Sequence, residues 1–258
     1  MNRRTAFSPS QFAEADIYMT RALPKALTGR DPVAVLNALG TNGDRLARML
    51  GADIDALLLP TIEEQPGVHD DGDWSPESWA RFYRSRYSEQ FDNAGGEEAI
   101  PLSIFPDYQP GFGWPILALQ GVTDNVAYAA CERDFRCWRY ASDLDADIVL
   151  NGRTSATTYG IRVRDRVEAD EEHQNLSGND LAVRGVKGIT LRERMLLEHK
   201  YWCDTQKHLD LENWTLCSGS RRAGGSLPDA RWYDGRFGVG SRDPSYRDPE
   251  LRVREVLC

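Results

Sequence analysis

The sequence predicts an α+β protein with a helical N-terminal region. Residues 1–95 carry apolar side chains at helical spacing, whereas from about residue 100 helical segments mix with segments of alternating apolar and polar residues. Between two alternating runs lie Asp234 and Gly235, the preferred pair for a two-residue hairpin turn. With 258 residues, 41% of them apolar, the chain can form one large domain or two small ones. We divide it into a helical region, residues 1–95, and a second domain, residues 96–258.

Four short helices are predicted in the N-terminal region, because Ser, Asp and Asn residues precede apolar residues at helical spacing. The helices are expected to begin after Ser8, Asp31, Asn42 and Ser75. The last of them carries Trp79, Phe82 and Tyr83. Residues 60–73, which are acidic and contain proline and glycine, are expected to form a loop, and residues 93–96 a linker. This region by itself suggests no function.

Three helices are predicted in the second domain. The first begins at Thr123 and is expected to continue to Arg139 or beyond, because its apolar residues follow a helical period. Ser177 caps a short second helix. Thr190 and Glu193 form a capping box that opens the strongest helical pattern of the chain. The apolar stripe of this helix is typical of a protein core.

Strands are predicted where apolar and polar residues alternate, in residues 157–167, in residues 211–217 with Trp214 and Leu216 facing inward, and in residues 251–256. The turn at Asp234 and Gly235 adds a hairpin with two different faces. Its apolar face comprises Ala230, Trp232, Phe237 and Val239. Its outward face comprises Arg231, Tyr233, Arg236, Gly238 and Ser241.

Composition limits the partners of the chain. The net charge of −9 argues against a general nucleic-acid binder, because phosphate contacts need an excess of Lys and Arg. No apolar run approaches the roughly 18 residues that a membrane span needs. The polar residues after Arg4 do not resemble the apolar core of a signal peptide, so no signal peptide is predicted. Display on a virion or on a cell surface remains compatible with the sequence.

The residues that usually bind metals or carry redox chemistry form no recognisable motif. The five cysteines are Cys131, Cys137, Cys203, Cys217 and Cys258, and no C-x-x-C pair occurs among them. The histidines His69, His173, His199 and His208 do not form H-x-x-x-H. We therefore predict reduced thiols, no metal and no cofactor. The acidic residues Asp165, Glu168, Asp170, Glu171 and Glu172 are interpreted as a solvated face rather than an active site.

Several short segments of the second domain occur in a characteristic order. They are residues Phe135–Tyr140, Val163–Glu172, Asn175–Ser177, Gly188–Arg194, His208–Arg221 and Leu251–Val256. Together they resemble the variable proteins of diversity-generating retroelements, particularly those of archaea, their viruses and small uncultured bacteria. The resemblance covers roughly residues 100–258.

The resemblance implies a C-type lectin fold, in the branch shared with formylglycine-generating enzymes. It also implies a variable region, here about residues 222–248, into which a template is copied with errors at adenines. Such errors convert Asn codons into many residues, but never into Lys, Glu, Gln, Met or Trp. Residues 222–248 contain none of these five types except Trp232, which lies on the predicted apolar face of the hairpin.

The resemblance, taken residue by residue, divides the variable region into contact residues and scaffold. The candidate ligand-binding residues are Arg222, Ala223, Ser226, Asp229, Arg231, Tyr233, Asp234, Gly238, Gly240, Ser241, Arg242, Asp243, Ser245, Tyr246 and Asp248. The expected fixed scaffold comprises Trp214, Trp232, Phe237, Val239, Leu251, Val253 and Arg254. Asp234 is also explained by the hairpin turn itself.

We expect a ligand-binding protein without catalytic activity, whose partner is a macromolecule, most simply a protein. The calcium-dependent lectin signature Glu-Pro-Asn is absent, and no EF-hand loop occurs. An enzyme of the formylglycine-generating type is an alternative, which would need a reactive cysteine pair such as Cys217 and Cys258. A receptor-binding structural protein of a virus is a further alternative, which differs from the first in where the protein is displayed.

Overall fold

The computed structural model describes residues 72–258 and has an α+β architecture. Its α-helices are α1 (Pro76–Arg86), α2 (Ser88–Asn93), α3 (Asp124–Asp134), α4 (Leu144–Asp147), α5 (Gly178–Val183) and α6 (Leu191–Thr205). Its strands are β1 (Trp114–Ala118), β2 (Cys137–Arg139), β3 (Ile148–Asn151), β4 (Tyr159–Val163), β5 (Trp214–Leu216), β6 (Ser220–Arg222), β7 (Leu227–Tyr233), β8 (Arg236–Arg242) and β9 (Leu251–Arg252). The helices predicted after Ser8, Asp31 and Asn42 lie outside the described residues, as does most of the loop predicted at residues 60–73.

Helix α1 begins where its sequence predicts. The Ser75 side chain accepts a hydrogen bond from the Ser78 N–H, which satisfies one of the free amides of the first turn. On its buried face, Trp79 Nε1 donates to the Pro115 carbonyl at 3.1 Å, and the Tyr83 hydroxyl donates to a carbonyl of the same strand, β1. These aromatic residues belong to one hydrophobic core with β1, β4 and α6. The core of the described chain therefore continues across residues 93–96.

Helix α6 lies at the centre of the fold. The capping box predicted at Thr190 and Glu193 is confirmed, because each side chain binds the backbone N–H of the other residue. Every residue from Leu191 to Tyr201 is buried, including six acidic or basic ones. A helix buried on all sides must pair its charged groups internally, since an isolated buried charge is strongly unfavourable. The sequence indicated an apolar stripe but not this complete burial.

Helix α3 ends earlier than expected. It stops at Asp134, Phe135 is extended, and Cys137–Arg139 forms β2, which pairs in parallel with β8. The Phe237 N–H donates to the Arg136 carbonyl at 2.9 Å, so this segment supplies hydrogen bonds to the hairpin. The prediction that the helix continues to Arg139 is therefore wrong. Pairing with β8 outweighs a helical period that was weak beyond Asp134.

The hairpin and its neighbours form a five-stranded mixed sheet of order β2-β8-β7-β5-β9. Strands β7 and β8 pair antiparallel in the predicted register, with Tyr233 opposite Arg236 and Trp232 opposite Phe237. Asp234 and Gly235 have φ angles of 53° and 69°, the left-handed conformation that a type I′ turn requires. The predicted turn and the predicted pairing register are confirmed.

Strand β5 differs from its prediction in both length and orientation. It comprises only Trp214–Leu216, and Thr215 pairs with Ala230, so the Thr215 side chain faces the main core. Trp214 and Leu216 therefore lie on the opposite side of the sheet, not inward as expected. There Leu216 is buried in a second, small apolar cluster with Leu181, Leu227, Leu251 and Val253.

The remaining elements support this sheet. Strand β4 confirms the strand predicted in residues 157–167 and pairs with β1. The short helix α5 is confirmed, with a capping box between Ser177 and Asp180. The final predicted strand is reduced to β9, followed by isolated bridges at Val253, Glu255 and Leu257.

Candidate ligand-binding surface

The hairpin separates an inner face from an outer face, as its alternation predicts. On the inner face Ala230, Phe237 and Val239 are buried. Trp232 is half-buried, and its ring stacks on His208 with 3.3 Å between ring centroids. The outer face comprises Asp229, Arg231 and Tyr233 of β7 together with Arg236, Gly238, Gly240 and Arg242 of β8.

One predicted outward residue belongs to the other face. Ser241 pairs with Pro228 and alternates with Phe237 and Val239, so it lies at the end of the inner side. The prediction for Ser241 is therefore wrong in orientation. It is nevertheless partly exposed, because the main core ends before this position.

A buried ionic network holds the sheet from beneath. The Asp210 carboxylate contacts Arg194 at 2.8 Å and Arg254 at 2.6 Å, and all three side chains are fully buried. Thr215 donates its hydroxyl to the same carboxylate at 2.5 Å, and the Trp232 N–H donates to the Asp210 carbonyl. Burial alone would raise the pKa of Asp210, but Arg254 and Arg194 hold it below its usual value. The network thus links β5, β7, α6 and the C-terminal segment.

Across the outer face, aromatic rings and guanidinium groups alternate in one continuous stack. We call it the aromatic–arginine stack, and it comprises, in order, Tyr246, Arg242, Trp214, Arg231 and Tyr233. The Arg242 and Arg231 guanidinium carbons lie 4.2 and 4.3 Å from the Trp214 ring centroid, one from β8 and one from β7. Arg231 also lies 4.1 Å from Tyr233, and Arg242 5.6 Å from Tyr246. Such contacts are favourable by about 0.5–2 kcal/mol each and orient long side chains that would otherwise be mobile.

A second aromatic–arginine pair extends this surface toward the sheet edge. Trp138 of β2 lies beside Gly238 and is 43% exposed. The Arg236 guanidinium carbon lies 5.7 Å from the Trp138 ring centroid. Trp138 and Arg236 were not among the predicted contact residues. A period of two in Phe135–Tyr140, read as a strand instead of a helix end, could have indicated Trp138.

Asp229 does not lie where a contact residue should. It is only 6% exposed, because Arg242 covers it with its Nε 2.9 Å from the carboxylate. Burial raises the pKa of Asp229, while Arg242, Arg231 and the Gly240 N–H oppose the shift. A Cβ on Gly240 would lie 2.4 Å from Asp229 Oδ1, so the two positions share one space. The prediction that Asp229 is a contact residue is therefore corrected to a supporting role beneath Arg242.

The other candidate residues are partly or fully accessible. The exposed ones are Ala223, Tyr233, Asp234, Asp243, Ser245 and Tyr246. The partly exposed ones are Arg222, Ser226, Arg231, Gly238, Gly240, Ser241, Arg242 and Asp248. Arg222 is not a member of the stack; it binds Asp147 and covers the ring of Tyr140.

The loop that carries Tyr246 is fastened at several points. The Ser245 N–H and hydroxyl both donate to Asp243, and the Tyr246 hydroxyl donates to Asp248. Arg247 binds Asp180 of α5 at 2.6 Å, and the N–H of another α5 residue donates to the Pro244 carbonyl. The end of the aromatic–arginine stack therefore lies on an anchored loop.

The acidic run after β4 is partly structural, not the solvated face expected. Asp170 is fully buried, and its carboxylate binds Arg164 and accepts the Glu255 N–H. Glu168 accepts the backbone N–H groups of residues 211–213 and so fixes the approach to β5. Glu171 and Glu172 are exposed as predicted. Sequence cannot distinguish the buried carboxylates from the exposed ones, because their partners are distant along the chain.

Within residues 72–258, two groups of donor atoms could be considered for a metal. They are Asp134, His199 and Cys203, and Asp170, His173 and Glu255, each with donors within 4.8 Å of one another. In the first, Arg86 contacts Asp134 at 3.0 Å. In the second, Arg164 bridges Asp170 and Glu255 at 2.6 and 2.9 Å. A guanidinium already neutralises each carboxylate, and a divalent cation would have to displace it. Both donor sets are therefore explained as ion pairs.

The cysteines carry no disulfide among the described residues. Cys131 and Cys217 are fully buried, and burial raises the pKa of both thiols well above the usual value. Such thiols are protonated and unreactive at neutral pH. Cys258 is exposed, with its Sγ 3.7 Å from Lys187 Nζ.

None of the helices formed by residues 72–258 is both long and apolar enough to cross a bilayer. Comparison of the whole chain with protein-family models, with curated proteins and with solved structures gives no match.

Proposed function

We propose that this chain is a non-catalytic ligand-binding protein that presents the outer face of the β7–β8 hairpin to a macromolecular partner. The observation that carries the proposal is the aromatic–arginine stack together with its support. Tyr, Trp and Arg are the residues most enriched among energetically dominant interface contacts. Here they are at least partly exposed on one side of a sheet whose other side is packed into the core, and their mutual contacts leave little side-chain freedom to be lost on binding.

We further propose that the scaffold is of the C-type lectin kind and that the surface is diversified by a retroelement. Three observations support this. The mixed sheet has a hairpin at its centre, and residues of the motifs that carry the resemblance lie on the elements around it. Fourteen of the fifteen candidate positions are at least partly exposed, Asp229 being the exception. Trp232, whose residue type adenine errors cannot produce, lies on the inner face.

An oxidase-like activity has less support. It would need a reactive cysteine pair, yet Cys217 is buried with a raised pKa whereas Cys258 is exposed. On the outer face, Asp229 has a raised pKa, but it is only 6% exposed and is covered by Arg242, so it is poorly placed to act on a substrate. A structural protein of a virus that binds a receptor would use the same surface and differs only in its display.

The decisive experiment is genomic sequencing around the gene in several isolates. We expect a reverse-transcriptase gene and a repeat of the segment that encodes about residues 222–248, with mismatches confined to adenines of the repeat. Substitutions among isolates should fall on outer-face and loop positions and leave Phe237 and Val239 unchanged. Variation spread evenly over inner and outer faces, or the absence of a repeat, would contradict diversification.

A further inference from the structure

We propose that the partner bound by this protein is an acidic protein segment, whose carboxylates bind Arg231 and Arg236. This inference rests on the proposed function and specifies the chemistry of its ligand. It depends on which arginines of the outer face are already neutralised and which are not.

Arg242 is neutralised within the protein. Its Nε lies 2.9 Å from the buried carboxylate of Asp229. Its Nη1 donates to the Ser241 carbonyl at 3.2 Å. Arg242 therefore serves to hold one side of the Trp214 ring, and its charge is largely used by the chain itself.

Arg231 and Arg236 are less engaged in ion pairs and hydrogen bonds than Arg242. Within residues 72–258, neither side chain donates a hydrogen bond, and the closest ion pair of Arg231 is Glu250 at 3.8 Å. Arg236 forms no ion pair in the described part of the chain, and its guanidinium group lies over the ring of Trp138. Asp234 lies in the turn between them and pairs with neither. The Arg231 guanidinium carbon lies 4.1–4.3 Å from two ring centroids and that of Arg236 lies 5.7 Å from one, so both groups contact aromatic rings while their N–H donors form no hydrogen bond within residues 72–258.

A stacked guanidinium with free edge donors matches one ligand chemistry best. Planar anions receive two parallel N–H bonds from such an edge, and carboxylate is the planar anion that proteins carry. Exposed Tyr233 and Trp138 flank the two arginines and can cover the apolar part of an adjoining side chain. The geometry therefore favours Asp or Glu next to apolar or aromatic residues in the partner.

The overall charge selects a protein in preference to a nucleic acid. The chain carries −9, so a polyanion with uniform charge would be repelled by most of the surface. Arg231, whose ion pair is the 3.8 Å contact with exposed Glu250, and Arg236, which forms no ion pair within residues 72–258, form a local positive site that a short acidic segment can reach. Complementarity of this kind governs orientation and association rate.

The test uses a phage library of random 12-residue peptides selected on the whole protein, and the affinity of the enriched peptides is then compared between the whole protein and the variant Arg231→Gln/Arg236→Gln. The matched control is Arg81→Gln on α1, where the arginine forms an exposed ion pair with Asp73. Thermal unfolding of each variant checks that the fold is retained. We expect enriched peptides to carry Asp or Glu beside aromatic residues. Their Kd should rise at least about tenfold on the double variant, remain unchanged on the control, and rise with NaCl concentration.

Two other outcomes are distinguishable. Peptides without acidic residues that still lose binding when Tyr233 and Trp138 are replaced by Ala would overturn the acidic ligand and leave the proposed binding surface standing. If no enriched peptide loses affinity on either outer-face variant, both the acidic ligand and the binding surface are refuted.

Discussion

Gly240→Ala is expected to destabilise the protein because the space beside Gly240 belongs to Asp229. An added Cβ would lie 2.4 Å from Asp229 Oδ1 and 3.4 Å from its Cγ. The distance to the oxygen is shorter than a Cβ atom can tolerate, so one of the two groups must move. The carboxylate is buried, so it must rotate away from residue 240, and its 2.9 Å ion pair with Arg242 is disturbed. Leaving a buried polar group without its partner costs about 1–3 kcal/mol. We therefore expect the free energy of unfolding to fall by about 2 kcal/mol.

Gly238→Ala is the matched control on the same strand and the same face. Its Cβ would approach other atoms no closer than 3.9 Å, an ordinary contact distance. Replacement of glycine by alanine at an unstrained position reduces the entropy of the unfolded chain, so we expect a change between zero and a gain of about 1 kcal/mol. Any intrinsic effect of Gly→Ala in this strand is thereby separated from the steric effect.

The assay is urea unfolding of a double-mutant cycle followed by tryptophan fluorescence. In the Asp229→Ala background the clash is absent, so Gly240→Ala should cost little. The coupling energy between the two positions should then be about 2 kcal/mol. Equal costs for Gly240→Ala and Gly238→Ala, or additive effects of the Gly240 and Asp229 substitutions, would refute the reasoning. If confirmed, residue 240 can change to a larger residue only together with residue 229.

Three further predictions concern the core, one buried acid and the thiols. Phe237→Ala should lower the free energy of unfolding by about 3–5 kcal/mol in urea titrations, because this side chain is fully buried between sheet and helix; a loss below about 1 kcal/mol would show that the inner face is loosely packed. Burial raises the pKa of Asp124 to about 6, so between about pH 4 and 6 the native state keeps a proton that the unfolded state releases, and this group removes up to about 3 kcal/mol of stability as the pH rises. Measured by urea unfolding, the free energy of unfolding of Asp124→Asn should therefore fall less, or rise more, from pH 4 to pH 7 than that of the wild type. An identical pH dependence of the two proteins would contradict the assignment. Maleimide labelling of the native protein should modify Cys258 rapidly and spare Cys131 and Cys217, which mass spectrometry can establish; rapid labelling of the buried pair would contradict their burial.

The candidate surface could be predicted in part from sequence. Arg231, Tyr233, Arg242 and Tyr246 were all among the expected contact residues, and four members of the aromatic–arginine stack were thus identified. The fifth, Trp214, was expected to face inward. Its orientation depends on which residue of β5 aligns with Ala230, and that register is set by contacts between distant segments.

Local chemistry explains the predictions that are confirmed. An Asp-Gly pair restricts the turn to one geometry, and the alternation on each side then fixes the register of the hairpin and the faces of its residues. A capping box likewise names the first residue of a helix, as at Thr190 and at Ser177. Each of these decisions involves residues fewer than about ten positions apart.

The tertiary structure decided what depends on distant partners. The neighbours of a carboxylate along the chain do not determine whether it is solvated or buried. Asp229 is covered by Arg242, and Asp170 is paired with Arg164. Helix α3 ends where it does because the following residues pair with β8 as strand β2. The sequence by itself therefore determined the hairpin, its turn and its two faces. Only the fold decided which of the outer-face arginines are neutralised and which remain available to a partner, because charge pairing depends on distance in space.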